Sequence, residues 1–166
     1  MTKLFFALLI IFSITPLNVS ASSNNLIKIG SIRLTANVVY TTASMKEKAL
    51  LMDNSPINQG DKLCEAGNAY IAGHSSPTKK NQKAGKVFAN LNKLKRGDIV
   101  TTTNCKYEIR SIKTFQGKVN EDGISYLFTH KIADYILENT FEKGTLTLQT
   151  CTKKPGEILV VKAVKL

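Results

Sequence analysis

Two side chains in this sequence could together carry covalent chemistry on a peptide bond. They are the imidazole of His74 and the thiol of Cys151, and each closes a short strand-like run. His74 ends Ala69-Tyr70-Ile71-Ala72-Gly73-His74, and Cys151 ends Thr145-Leu146-Thr147-Leu148-Gln149-Thr150-Cys151. A thiol can attack a carbonyl to form a thioester, and an imidazole beside it can serve as base and then acid. Either residue alone has a plain structural reading, as a small buried hydrophobe or a hydrogen-bonded histidine. Their company favours the chemical one. Gly73 permits a close backbone approach or an unusual turn just before the imidazole. His130, within Phe128-Thr129-His130-Lys131, has no small-residue strand end around it and reads as a surface or helix-start histidine.

The elements that must hold this pair are mostly strands, since much of the chain alternates with period two. Ile27, Ile29, Ile32 and Leu34 suggest a first strand interrupted near Gly30, and Val38-Val39-Tyr40 a second. Ala69 to Gly73 is a short apolar strand. Ile99 to Thr103 and Lys106 to Thr114 read as a hairpin turning at Asn104-Cys105, with Tyr107, Ile109, Ser111 and Lys113 on one face. The run to Cys151 and the segment Ile158 to Val164 complete the set. Helices are few: Met45 to Met52, Ala84 to Lys95 with Val87, Phe88, Leu91 and Leu94 at helical spacing, and Thr129 to Phe141. The sum is a mainly β domain with small helices in its connections, and barrel closure would remove its sticky edges.

The 166 residues suit one domain, with residues 1–21 and 22–26 set apart from a body at 27–166. Lys3, an apolar stretch from Leu4 to Ile14, the break at Pro16 and the small residues Val19-Ser20-Ala21 read as a signal peptide or a short membrane anchor. Residues 22–26 form a polar lead-in. The working domain is therefore expected outside the cytoplasm, secreted or associated with the membrane and cell envelope. The net charge of +11 comes from 20 lysines and 3 arginines, scattered and without interleaved aromatics for base stacking. That argues against nucleic acid and for a solvated surface attracted to anionic wall or lipid. Three cysteines are an odd number for an exported chain, where two can pair. Cys64 and Cys105 sit in ordinary polar contexts, so the expected bridge joins them and leaves Cys151 reactive. The alternative is that both are simply small buried residues. The cysteines and histidines show no paired zinc-ligand spacing.

The ordered series "IGSIRLTANVVY", "NAYIAGH", "VFANLNKLKRGDIV", "YEI", "GTLTLQTC" and "ILVVKA" resembles the sortase family of cysteine transpeptidases over most of residues 27 to 164. The resemblance implies a closed eight-stranded β-barrel that brings His74 and Cys151 to one groove. It implies attack by Cys151 on the Thr carbonyl of a Leu-Pro-x-Thr-Gly kind of sorting signal. His74 would protonate the leaving amine, and an amine acceptor such as a cell-wall peptide would resolve the thioester. No cofactor is implied. Papain-like enzymes place the cysteine before the histidine, and the Ser-His-Gly-Cys motif of L,D-transpeptidases is absent.

The sequence departs from the family at one residue. Sortases carry an arginine in the strand after the cysteine, and here Ile158, or Glu157 with a one-residue shift, stands in its place. Three readings follow. Lys153 or Lys154 donates to the oxyanion or substrate instead, although lysine lacks the planar fork of arginine. Arg110 reaches in from another strand. Or catalysis is weak or lost, leaving an exported sortase-like binding protein. A thiol peptidase, with water resolving the thioester, is a further alternative.

Overall fold

The computed structural model describes residues 25–40, 55–75, 86–116, 118–119, 126–127 and 130–166. The expected signal segment at residues 1–21, most of the lead-in and the helix at Met45 to Met52 lie outside the described residues. The fold is built from β1 (Leu26–Ile29), β2 (Leu34–Asn37), β3 (Val39–Tyr40), β4 (Ile57–Asn58), β5 (Asn68–Ala72), β6 (Ile99–Thr102) and β7 (Lys106–Gln116). It continues with β8 (Lys118–Val119), β9 (Tyr126–Leu127), helix α1 (His130–Leu137), β10 (Thr145–Cys151) and β11 (Glu157–Lys165). Nine strands form one sheet in the order β2-β1-β6-β7-β11-β10-β5-β4-β3, and β8 pairs with β9 separately.

The two edge strands of that sheet, β2 and β3, are consecutive in the chain. Residues 34–40 pair with β1 on one side and with β4 on the other, so a single bent segment closes the sheet into a barrel. Counted as one strand, that segment makes the ring eight-stranded. The alternating residues explain the closure: Ile27, Ile29, Ile71, Val100, Ile109, Leu146, Leu148 and Val161 all point inward and are fully buried.

Three local expectations are corrected. The Ile27 to Leu34 stretch is a hairpin rather than one interrupted strand. A 3-10 turn at Gly30–Ile32 reverses the chain, with Arg33 in the left-handed region at φ 53°. The Ala84 to Lys95 stretch, described from Lys86, is a series of tight turns with a short 3-10 helix at Leu91–Lys93. Its bonds run three residues back, as in Ala89 N–H to Lys86 O (3.0 Å), Leu91 N–H to Phe88 O (3.1 Å) and Leu94 N–H to Leu91 O (3.2 Å). Buried Phe88, Leu91 and Leu94 recur every three residues, the 3-10 period, so one apolar face is served without an α-helix. The third correction concerns β7. Lys162 pairs with Ser111, but the next residue, Ala163, pairs with Ile109, so Arg110 is a bulge. The bulge reverses the side-chain parity. Tyr107 and Ile109 face the core, whereas Ser111 and Lys113 face the opposite side.

That outer side carries a second layer. Ile132 and Ile136 of α1 pack on Ile158 and Val160, flanked by Tyr70, Phe115 and Tyr135. The helix stops at Leu137, short of the expected Phe141. Lys162 is fully buried beneath it. Its ammonium donates to Glu138 O (2.9 Å) and Thr140 Oγ1 (2.6 Å) and lies 4.5 Å from the Tyr135 ring centroid. Burial lowers its pKa below the usual lysine value. Asn68 links the layers by accepting from Thr147 Oγ1 (2.8 Å) and donating to Ile136 O (2.7 Å). On the far side, a Cys64–Cys105 disulfide (Cα–Cα 5.7 Å) ties the β4–β5 loop to the β6–β7 turn.

Candidate active site

β5 and β10 are parallel neighbours, in register from Asn68 opposite Thr145 to Ala72 opposite Gln149. The pairing continues past the end of β5. Gly73 N–H donates to Gln149 O (3.1 Å), and Thr150 Oγ1 donates to Gly73 O (2.7 Å). The next residues along the two paths are His74 and Cys151, which follow strands about 4.8 Å apart. Both are half-buried. The sequence separation of 77 residues is spanned by the register itself.

Two features fix the end of β5. Phe88 N–H donates to His74 O (2.9 Å), docking the 3-10 segment onto the strand end. A Cβ on Gly73 would lie 2.8 Å from Phe88 Cδ2 and 3.0 Å from Val87 Cγ1, so the close approach of that segment requires glycine. The gap left between this segment and the β10–β11 turn is a cleft of about 380 Å³. Ser75, Phe88, Ala89 and Asn92 form one wall, and Thr150, Cys151, Thr152, Lys153 and Leu159 the other. Cys151 borders this cleft and stands outside the disulfide.

The β10–β11 turn is internally braced. Thr152 N–H donates to Glu157 O (2.9 Å), and Thr152 Oγ1 donates to Glu157 Oε1 (2.8 Å). Lys154 Nζ lies 3.5 Å from Glu157 Oε2. Of the two candidate lysines, Lys153 borders the cleft, whereas Lys154 is turned to Glu157. On β11 the residue paired with Cys151 is Ile158, 1% exposed, and not Glu157. The side chain beside the thiol on that strand is therefore aliphatic. Arg110 does not line the cleft, and its guanidinium donates to Glu108 Oε2 (2.8 Å).

The structure adds two residues that sequence reasoning missed. Tyr70 and Gln149 share the sheet face of Cys151, two steps and one step below it respectively. The Tyr70 hydroxyl donates to Gln149 Oε1. Burial, reinforced by the nearby Cys151, pushes the Tyr70 phenol up to about 12, so it remains a proton donor at neutral pH. Gln149 stood in the quoted cysteine motif and Tyr70 in the histidine motif. Only the parallel register shows that they meet.

A family model described as "Sortase: Sortase domain" matches residues 27–165. Solved structures show the same fold. Sortase A from Corynebacterium diphtheriae, a lid mutant, superposes with a TM-score of 0.59 at 18% identity, covering 85% of this chain and 68% of that one. Sortase C of Streptococcus pneumoniae gives 0.60 at 17%, covering 90% and 68%. A Clostridium perfringens Sortase D5 transpeptidase gives 0.55 at 24%, covering 85% and 77%. A search of curated proteins returns no match. With the family model spanning the whole barrel, and the barrel matching those of solved sortases, the chain belongs to the sortase family of cysteine transpeptidases.

Proposed function

We propose that the protein cleaves a C-terminal sorting signal of the Leu-Pro-x-Thr-Gly kind and transfers it to an amine outside the cytoplasm. The observation that supports this reading is the parallel register of β5 and β10, bonded as far as Gly73 and Thr150, the residues just before His74 and Cys151, with Cys151 lining a cleft. Cys151 gives its proton to His74 as Sγ bonds to the Thr carbonyl carbon. As the tetrahedral intermediate collapses, the C–N bond breaks and His74 gives its proton to the leaving glycine amine. An acceptor amine, such as that of a cell-wall peptide, then attacks the thioester. His74 takes the amine's proton, the C–S bond breaks, and His74 passes that proton to the departing sulfur, restoring the thiol. Lys153, at the cleft wall beside the nucleophile, is the cation available to hold substrate there.

One observation favours a second reading. Ile158 fills the position paired with Cys151, so no cation stands opposite the thiol on that strand to steady the oxyanion. Losing one such donor slows catalysis by about 10²–10³. A slow enzyme, or an exported binding protein with the same cleft, fits this geometry.

Intact-mass measurement tests both. The protein is incubated with a pool of Leu-Pro-x-Thr-Gly-like peptides, beside Cys151→Ala. An acyl mass increase on the native protein alone supports the thioester route, and adding an amine then distinguishes transfer from hydrolysis. If Cys151 reacts with a small alkylating agent yet never carries an acyl group, the transpeptidase reading fails and the binding reading gains.

A further inference from the structure

We infer that Tyr70 and Gln149 form a positioning pair for Cys151, in which Tyr70 fixes the Gln149 carboxamide so that its N–H donates to the thiolate. This rests on the reading of Cys151 as nucleophile.

Gln149 precedes Cys151 by two residues on β10, so both side chains project from the same sheet face. Tyr70, across the parallel pairing, donates to the Gln149 carbonyl oxygen. That bond occupies the acceptor end of the amide and turns its NH₂ end away. The NH₂ makes no hydrogen bond with another described residue, although a carboxamide offers two donors. On the other side of β10, Ile158 is the residue paired with Cys151, and Ile132 and Ile136 of α1 pack against it. A neutral amide whose acceptor end is held by a phenol keeps its N–H groups to offer a thiolate on the same face, and such a bond favours the charged form.

Among the described residues, the titratable groups near the thiol are Tyr70 of β5, His74 just past its end, Lys153 and Lys154 of the following turn and Glu157 at the start of β11. The opposite cleft wall presents Phe88, Ala89 and Asn92, none of which titrates.

The test is the rate of Cys151 alkylation by iodoacetamide as a function of pH, read by intact mass. Tyr70→Phe and Gln149→Met are near-isosteric, and a melting curve for each checks folding. Gln149→Met is expected to move the profile up by about one pH unit, a roughly tenfold lower thiolate fraction on the acidic limb. Tyr70→Phe moves it the same way by less. Thr147→Val, lower on the same face, leaves it in place. Coincident profiles for the native protein, Tyr70→Phe and Gln149→Met would overturn the inference. If one variant fails to fold, the other decides. Peptide acylation measured alongside separates the two claims. Acylation with an unmoved profile sinks only the positioning pair, whereas a moved profile without acylation sinks only the sorting reaction.

Discussion

The Tyr70 phenol makes a measurable claim about stability. Its ordinary value is 10.0, and in the fold it rises to about 12. Between those values the unfolded chain has released the proton while the native state still holds it. The native state then binds more protons, and stability falls as pH rises through that window, with no effect below it. Two units correspond to about 3 kcal/mol. Denaturant unfolding followed from neutral to alkaline pH should therefore show a shallower decline in Tyr70→Phe than in the native protein. Equal declines would mean that Tyr70 ionises as readily in the fold as in solution. Lys162 acts in the opposite sense, because its lowered value makes the unfolded chain bind more protons just below 10.5. That contribution is common to both proteins and cancels in the comparison. At this scale the sequence singles out residue types that can carry chemistry, as Cys151 and His74 can. It was silent on Tyr70 and Gln149, whose bond crosses 79 residues and has no local signature.

Among the elements, the joint between β5 and β10 depends on the Thr150 hydroxyl, which donates to Gly73 O in a buried setting. Thr150→Val leaves that carbonyl without its donor, a cost of about 1–3 kcal/mol. Thermal unfolding should show the loss, and acylation should fall more than stability alone explains, because the bond sits one level below His74 and Cys151. Gly73→Ala pushes on Phe88 and displaces the cleft wall instead, so a drop in both stability and peptide capture is expected, with overpacking costing about 1–3 kcal/mol. Strand pattern made most of these elements legible, including the β6–β7 hairpin. Two failures have physical causes. Apolar residues at Phe88, Leu91 and Leu94 satisfy α and 3-10 spacing alike, and the tighter helix won. The bulge at Arg110 is a single extra residue that alternation cannot reveal, and it reverses every side chain beyond it.

Across the whole molecule, two closures hold the barrel. One is the bent run 34–40, which joins both sheet edges. The other is the Cys64–Cys105 disulfide, with a sequence separation of 41. Constraining a loop of that length stabilises the fold by about 4 kcal/mol on the chain-entropy account. A reducing agent should lower the thermal midpoint while leaving Cys151 alkylation at room temperature intact. If reduction instead abolished alkylation, the bridge would be supporting the cleft directly. The barrel class was visible in the sequence because alternating strands must close or stick. The way its edges meet was not, because a seven-residue bend looks like two short strands.

The parallel joint between β5 and β10 also carries a consequence in time. Every other neighbouring pair in the large sheet is antiparallel except the short β3–β4 contact. The β5–β10 pairing bridges 77 residues, and such distant parallel contacts form late because loop closure precedes their reward. During refolding, compaction should therefore run ahead of competence. Intrinsic tyrosine fluorescence should report a collapsed barrel before Cys151 alkylation reaches its native pH profile, so a half-folded chain would be compact while its proposed chemistry is still switched off.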